Sequence, residues 1–117
     1  MLSDTEKDAF KQAVYDIVNR IPYGRATSYG AIATAVGYPN MSRMVGRVMK
    51  GSGNYNEKLP CHRVVNSQGF LSGKDGFGNS GQMQQFLETE GITIANNKIK
   101  NWKNIFWDPM KEIILEE

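Results

Sequence analysis

The sequence predicts a mainly α fold with a small β hairpin, in one domain that takes up the whole chain, 1–117. Three observations carry that expectation. An apolar stripe at helical spacing runs along the N-terminal segment. Two short helical patterns flank a Gly-Pro break around Tyr38. Two short apolar runs, Val64-Val65 and Phe70-Leu71, flank a polar turn that ends in glycine. A chain of 117 residues buries about two thirds of its unfolded surface, enough for one core without staples. The lone cysteine cannot close an internal disulfide, and with the lone histidine it cannot complete the four ligands of a structural zinc site.

The first helix starts at Ser3, which has the capping-box spacing with Glu6, and Phe10, Val14, Ile17 and Val18 recur on one face. Ile21-Pro22-Tyr23-Gly24 stops it, because Pro22 has no N–H to donate and Gly24 tolerates turn geometry. Thr27 or Ser28 caps a second helix through Ile32, Ala35 and Val36. Gly37-Tyr38-Pro39-Asn40 then breaks the pattern ahead of a third helix from about Ser42 to Lys50, which makes a helix-turn-helix. In the third helix Met44, Val45, Val48 and Met49 face inward, while Arg43, Arg47 and Lys50 fall at i, i+4 and i+7 as a basic ridge. Such a ridge is either a DNA-contacting face or a solvated surface, since paired short helices occur in many unrelated domains.

The stretch from Gly51 to Asn56 is turn-forming and reads as mobile. Pro60 fixes the backbone ahead of Cys61, Val64-Val65 forms a short strand, and Asn66-Ser67-Gln68-Gly69 turns into Phe70-Leu71 to close a hairpin or wing. The glycines from Gly73 to Gly81 lack the Lys-Ser/Thr ending and the strand-to-helix setting of a phosphate-cradling loop, which argues against a nucleotide site. Ser80 caps a further helix with Met83, Phe86 and Leu87 at helical spacing and Gly91 as its stop. Glu90 falls in the last turn, at the negative end of the helix dipole, which costs about 0.3–1 kcal/mol when exposed. Either something offsets that cost or the carboxylate is simply solvated. Ile92-Thr93-Ile94 reads as an edge strand. Trp102, Ile105, Phe106 and Trp107 read as core packing of the tail, with an aromatic platform for unstacked bases as the alternative.

Net charge is +2, but it is unevenly spread. Residues 21–75 hold seven Lys/Arg against two Asp/Glu, whereas 1–20 and 76–117 are each slightly acidic. A basic centre fits a surface that meets phosphates, or a basic face that only water covers. Met1 to Phe10 has no apolar core of signal-peptide length, and no run of about 20 apolar residues occurs anywhere. A soluble, cytoplasmic protein in a reducing compartment, with no membrane partner, is expected.

Cys61 stands directly before His62 in the run Leu59-Pro60-Cys61-His62-Arg63-Val64-Val65. A neighbouring imidazole lowers a thiol pKa and keeps part of the population as nucleophilic thiolate. The pair therefore reads as an activated nucleophile, or more plainly as a small buried hydrophobe beside a surface histidine.

The order of features decides between these. Ile-Pro-Tyr-Gly-Arg-Ala-Thr-Ser-Tyr-Gly at 21–30, Ser42-Arg43-Met44-Val45-Gly46, Pro-Cys-His-Arg-Val at 60–64 and Glu90-Gly91 follow one another along the chain. In this the chain resembles, from about Thr5 to Ile94, the DNA-binding, active-site domain of the O6-alkylguanine-DNA alkyltransferases and the similar alkyltransferase-like proteins; residues 95–117 form a C-terminal extension. The resemblance implies a winged-helix-like domain that enters the minor groove with its second motif helix and extrudes a damaged guanine. It implies DNA-binding roles for Tyr29, Ser42, Arg43 and Arg47, with Tyr29 crowding the phosphate beside the lesion and Arg43 filling the vacated place in the stack. It implies that Cys61 takes the alkyl group, that His62 removes the thiol proton through a water, and that Glu90 orients His62. No cofactor and no metal are required, each molecule acts once, and the partner is double-stranded DNA containing O6-alkylguanine, met by a monomer.

The chain departs from the family pattern at three places. It begins almost at the first helix of the active-site domain, so the amino-terminal companion domain of family alkyltransferases is expected to be missing, as it is in the alkyltransferase-like proteins. Leu71-Ser72-Gly73-Lys74-Asp75 stands where active members carry a Gly-Tyr-bearing loop that lines the base pocket. Gly53 stands where an asparagine usually precedes the Pro-Cys-His run, with Asn54 and Asn56 nearby. Two functions follow: a suicidal alkyltransferase, favoured by the presence of Cys61, or a lesion sensor that binds O6-alkylguanine and recruits nucleotide excision repair proteins. A plain winged-helix regulator needs no nucleophile, which argues against it.

Overall fold

The structure, a computed structural model, describes residues 2–51, 59–72 and 81–116. Helix α1 (Asp4–Arg20) opens on the expected capping box: Ser3 Oγ accepts from the Glu6 N–H at 3.2 Å, and Glu6 Oε1 accepts from the Ser3 N–H at 2.9 Å. Phe10, Val14 and Val18 are buried, and Ile17 packs at the edge of the stripe. Strand β1 (Thr27–Ser28) leads straight into α2 (Tyr29–Ala35), and of the two expected caps it is Ser28 that serves, its Oγ accepting from the Ala31 N–H at 3.1 Å. Of the expected stripe of α2, Ile32 is buried and Ala35 and Val36 are half-buried, and Ala33 is buried beside Ile32.

Gly37, at φ +94°, ends α2 in a Schellman motif: its N–H donates to Thr34 O at 3.1 Å and the Tyr38 N–H to Ala33 O at 2.9 Å. Helix α3 (Ser42–Gly51) follows as the second half of the helix-turn-helix. Val45 and Met49 are buried against α1 and α2, Met44 and Val48 pack at the edge, and Arg43, Arg47 and Lys50 are exposed. The amphipathic expectation for this helix therefore holds.

The sheet corrects the expected hairpin. Strand β2 (Val64–Val65) pairs in parallel with β1, Thr27 opposite Val64 and Ser28 opposite Val65, and all four residues are buried. Parallel strands covered on both faces take consecutive apolar residues, which explains the Val-Val pair. The Asn66–Gly69 turn does form, held by Asn66 Oδ1 accepting from the Gln68 and Phe70 N–H groups at 2.9 Å each. Phe70, however, bridges to Lys98. The hairpin of the fold lies further along, where β3 (Ile94–Ala95) pairs antiparallel with β4 (Lys98–Ile99) through Asn96 and Asn97, both at positive φ. The expected edge strand at 92–94 begins only at Ile94, the Ile92 N–H being taken up by Leu87 O at 3.1 Å at the end of the preceding helix.

Helix α4 (Gln82–Thr89) carries Gly81 at its N-cap and buries Met83 and Leu87, while Phe86 is exposed. Helix α5 (Trp102–Ile105) and helix α6 (Pro109–Glu116) complete the chain. The tail is part of the core: Trp107 is 1% exposed, its N–H donates to Ala26 O at 2.8 Å, and the Ala26 N–H donates to Ile105 O at 3.2 Å. Arg25 reinforces the join, donating to Ile105 O at 2.9 Å and Phe106 O at 2.6 Å and pairing with Glu112. The expected turn at 51–56 beyond Gly51, the Ser80 cap, the glycine loop from Gly73 to Ser80, and the positions Gly53, Asn54, Asn56, Lys74 and Asp75 lie outside the described residues. Among the described residues no helix is long and apolar enough to cross a membrane.

Gly69 gives a test of this packing. It sits at φ +88°, and a Cβ there would lie 2.9 Å from Trp102 Cγ. Gly69→Ala is expected to lower stability by about 2 kcal/mol, from the left-handed backbone and the displaced indole together. A urea midpoint unchanged from the parent protein would contradict that seat for Trp102.

Candidate functional site

Cys61 is aimed inward by its own backbone. Pro60 has φ −77° and ψ 62°, and the Cys61 N–H donates to Leu59 O at 2.7 Å across it, the geometry of an inverse γ-turn. One 3-10 turn, Cys61–Arg63, follows and runs into β2. It leaves Cys61 3% exposed in the core and His62 and Arg63 half-buried, facing the end of α4. Tyr15 of α1 donates to Val48 O at 3.3 Å, and burial, with Cys61 adding to it, pushes its phenol up.

Glu90 is the hub. It is the C-cap of α4, and Gly91 at φ +87° closes a second Schellman motif, with Gly91 N–H to Glu88 O at 3.0 Å and Ile92 N–H to Leu87 O at 3.1 Å. The side chain is only 5% exposed, so the solvated alternative is excluded. His62 Nε2 lies 2.6 Å from Oε2, Arg63 Nε donates to both oxygens at 3.0 Å, and the Gly24 N–H donates to Oε1 at 2.8 Å. Donors from two separate segments, the Cys61–Arg63 turn and Gly24, converge on one carboxylate. They offset its unfavourable position on the helix dipole.

The charges follow from this geometry. Burial by itself pushes the Glu90 carboxyl up, but the hydrogen bonds from Arg63, His62 and Gly24 outweigh it and hold the group below its ordinary 4.5. Burial pushes His62 down; Glu90 pulls it back up, Arg63 opposes, and the net position is below 6.5. At neutral pH the arrangement is therefore Glu90 carboxylate and neutral imidazole. With the carboxylate accepting at Nε2, that nitrogen carries the proton and Nδ1 is left as the basic nitrogen.

Arg63 is the residue that sequence reasoning passed over. Beyond Glu90 it donates to Ile21 O at 2.8 Å, and its guanidinium lies 5.7 Å from the centre of the Tyr23 ring, whose hydroxyl donates to Thr89 O at 3.0 Å. Its signal was available: a carboxylate placed against a helix C-terminus needs a cation, and Arg63 follows His62 directly. Phe86 adds an edge contact to the imidazole at 5.4 Å.

The structure thus brings His62 and Glu90 into contact and sets Cys61 at the head of the same turn. The other four residues are carried by the helix pair. Tyr29 is the first residue of α2 and Ser42 the first of α3, both half-buried, and Arg43 and Arg47 are exposed on α3. The Ser28–Val65 register links the two groups, because Tyr29 follows the strand that pairs with the one leaving the Cys61 turn.

Comparison with known proteins gives a consistent result. The family model described as 6-O-methylguanine DNA methyltransferase, DNA binding domain, matches residues 9–92. The chain is 37% identical to alkyltransferase-like protein 1 of Schizosaccharomyces pombe over 87% of this chain and 97% of that protein. It is 42% identical to the constitutive methylated-DNA–protein-cysteine methyltransferase of Bacillus subtilis over 57% of this chain and 40% of that protein. The solved structure of S. pombe Atl1 in complex with damaged DNA containing O6-carboxymethylguanine superposes with a TM-score of 0.76 at 38% identity, covering 87% of this chain and 97% of that one. By motif order, fold and extent of match, the chain belongs to the family of the 6-O-methylguanine DNA methyltransferase DNA-binding domain.

Proposed function

We propose that this protein recognises O6-alkylguanine in duplex DNA by turning the base out of the stack, and takes the alkyl group onto Cys61 Sγ in one stoichiometric step. The observation that supports it most is the join between the Cys61 turn and a neutral, Glu90-oriented His62. In the reaction His62 Nδ1 accepts the thiol proton through a water, and the thiolate attacks the alkyl carbon. The S–C bond forms as the C–O6 bond breaks, and the proton returns to the departing purine as unmodified guanine. The products are a thioether and a repaired base, so no cofactor is consumed and the protein is not regenerated.

Recognition falls to the helix pair. Arg43, exposed near the start of α3, is long and planar enough to stack in the place the base leaves and to bond its orphaned partner, recovering part of the few kcal/mol that flipping costs. Tyr29, Ser42 and Arg47 hold the backbone. Minor-groove entry suits a lesion found in many sequence contexts, since that groove offers a degenerate code.

A second reading keeps the recognition and omits the transfer: a sensor that marks the lesion for nucleotide excision repair proteins. The match over 97% of an alkyltransferase-like protein favours it. Intact-mass measurement after incubation with an oligonucleotide carrying O6-methylguanine separates the two. A single methyl increment mapping to Cys61 supports transfer, and tight lesion binding at unchanged mass sinks it in favour of the sensor. In either case Arg43→Ala is expected to weaken binding to lesion-bearing duplex about tenfold or more with far less change on single strands. Equal weakening on both in a titration by fluorescence anisotropy would remove the stacking role.

A further inference from the structure

The charge summed over 76–117 conceals a contrast. Residues 91–107 contain Lys98, Lys100 and Lys103 and no acidic residue, the acidic ones lying at Glu88, Glu90 and from Asp108 onward. All three lysines are exposed, and among the described residues none is in an ion pair. Lys103 projects from α5 at the edge of an open cleft of about 630 Å³ that runs between α5 and α2. The cleft begins at Ser28 and Gly30, the residues on either side of Tyr29, and its walls carry the hydroxyl residues Thr34 and Ser67 and the indole of Trp102. A shallower depression of about 230 Å³ shares Trp102 with it and is edged by Lys98 and Lys100. A Cβ on Gly30 would meet nothing within 4 Å, so the floor of the cleft is open backbone.

We propose that this cleft holds the sugar-phosphate backbone of the duplex beside the lesion, with Lys103 as its principal cation and Lys98 and Lys100 continuing the track. The inference rests on the DNA-binding reading above and extends the footprint from the helix pair to the C-terminal extension. The chemistry fits the occupant: hydroxyls and a lysine are ordinary phosphate partners, and they carry no base code. The position fits as well, because two residues of its lining, Ser28 and Gly30, flank Tyr29 in the chain. Three exposed lysines without a carboxylate partner, Lys98 lying over the Phe70 ring at 5.4 Å, add to affinity for a polyanion by releasing counterions, a contribution that appears in the salt dependence of binding and not in lesion preference. The anchoring of the tail by Trp107 and Arg25 keeps the lysine track in register with α2.

The test is a salt titration of full-chain Lys103→Ala on two duplexes, one with O6-methylguanine and one undamaged. Binding is expected to weaken about fivefold on both, and the slope of log K against log salt to fall by about 0.9. Lys103→Arg is expected to keep the parent slope. Replacing single phosphates by neutral methylphosphonates should reveal one position, to the side of the lesion, at which the parent protein loses affinity and Lys103→Ala loses no more. An unchanged slope, or additive losses at every position, overturns the contact even if lesion preference is intact. Conversely, a parent protein without lesion preference whose slope still responds to Lys103 removes the repair reading and leaves the tail contact standing.

Discussion

Glu90→Gln is expected to destabilise the fold by about 3 kcal/mol at neutral pH and to slow alkyl transfer about 100-fold. The substitution preserves shape but removes the charge that Arg63, His62 and the Gly24 N–H all face, leaving a half-buried guanidinium without a counter-ion. It also frees the imidazole. A glutamine amide can donate to Nε2 as well as accept, so Nδ1 is no longer held as the basic nitrogen.

The sign of the pH dependence follows from the direction of both shifts. Glu90 is held below 4.5 in the fold, so its contribution is fully present above 4.5 and lost as pH falls through its folded value. His62 also lies below its ordinary 6.5, so the parent protein starts to lose stability below 6.5, where the unfolded chain takes up a proton that the fold resists. Transfer should fall over the same acid range as His62 protonates and can no longer take the thiol proton. Urea midpoints across pH measure both effects. A parent-to-variant gap that stays constant from neutral pH to well below 4.5 would show that the charge of Glu90 is not what stabilises the cluster.

Cys61→Ala is expected to abolish transfer completely while leaving lesion affinity within a few-fold of the parent. The thiol supplies the only acceptor atom in the proposed step, and the phosphate contacts and Arg43 do not depend on it. Since Cys61 is 3% exposed, loss of its sulfur also opens a small void, with an expected cost of about 1 kcal/mol. Mass spectrometry and anisotropy on the same preparation read both parts. A methyl group appearing elsewhere on the variant, or loss of lesion binding with the fold intact, would count against Cys61 as the acceptor at the recognition site.

What the sequence disclosed was local. The Ser3 capping box, the helix pair with its exposed Arg43 and Arg47, and the glycine stops at Gly37 and Gly91 are set by interactions three to five residues apart, which spacing reveals. The Pro60 turn belongs here too, since its hydrogen bond closes within three residues. The hairpin turns at Asn96-Asn97, both at positive φ, and not at Asn66–Gly69, although both stretches have turn-forming residues.

Residue order alone therefore determined that a thiol and an imidazole stand together behind a helix-turn-helix, and motif order identified the family. Tertiary structure alone decided that Val64-Val65 runs parallel to Thr27-Ser28, that the tail completes the core at Trp107, and that Glu90 is a buried carboxylate shared by His62, Arg63 and Gly24. The reason is distance along the chain: Glu90 meets partners 27, 28 and 66 residues away, and periodicity carries no information about which remote donors will converge on one acceptor.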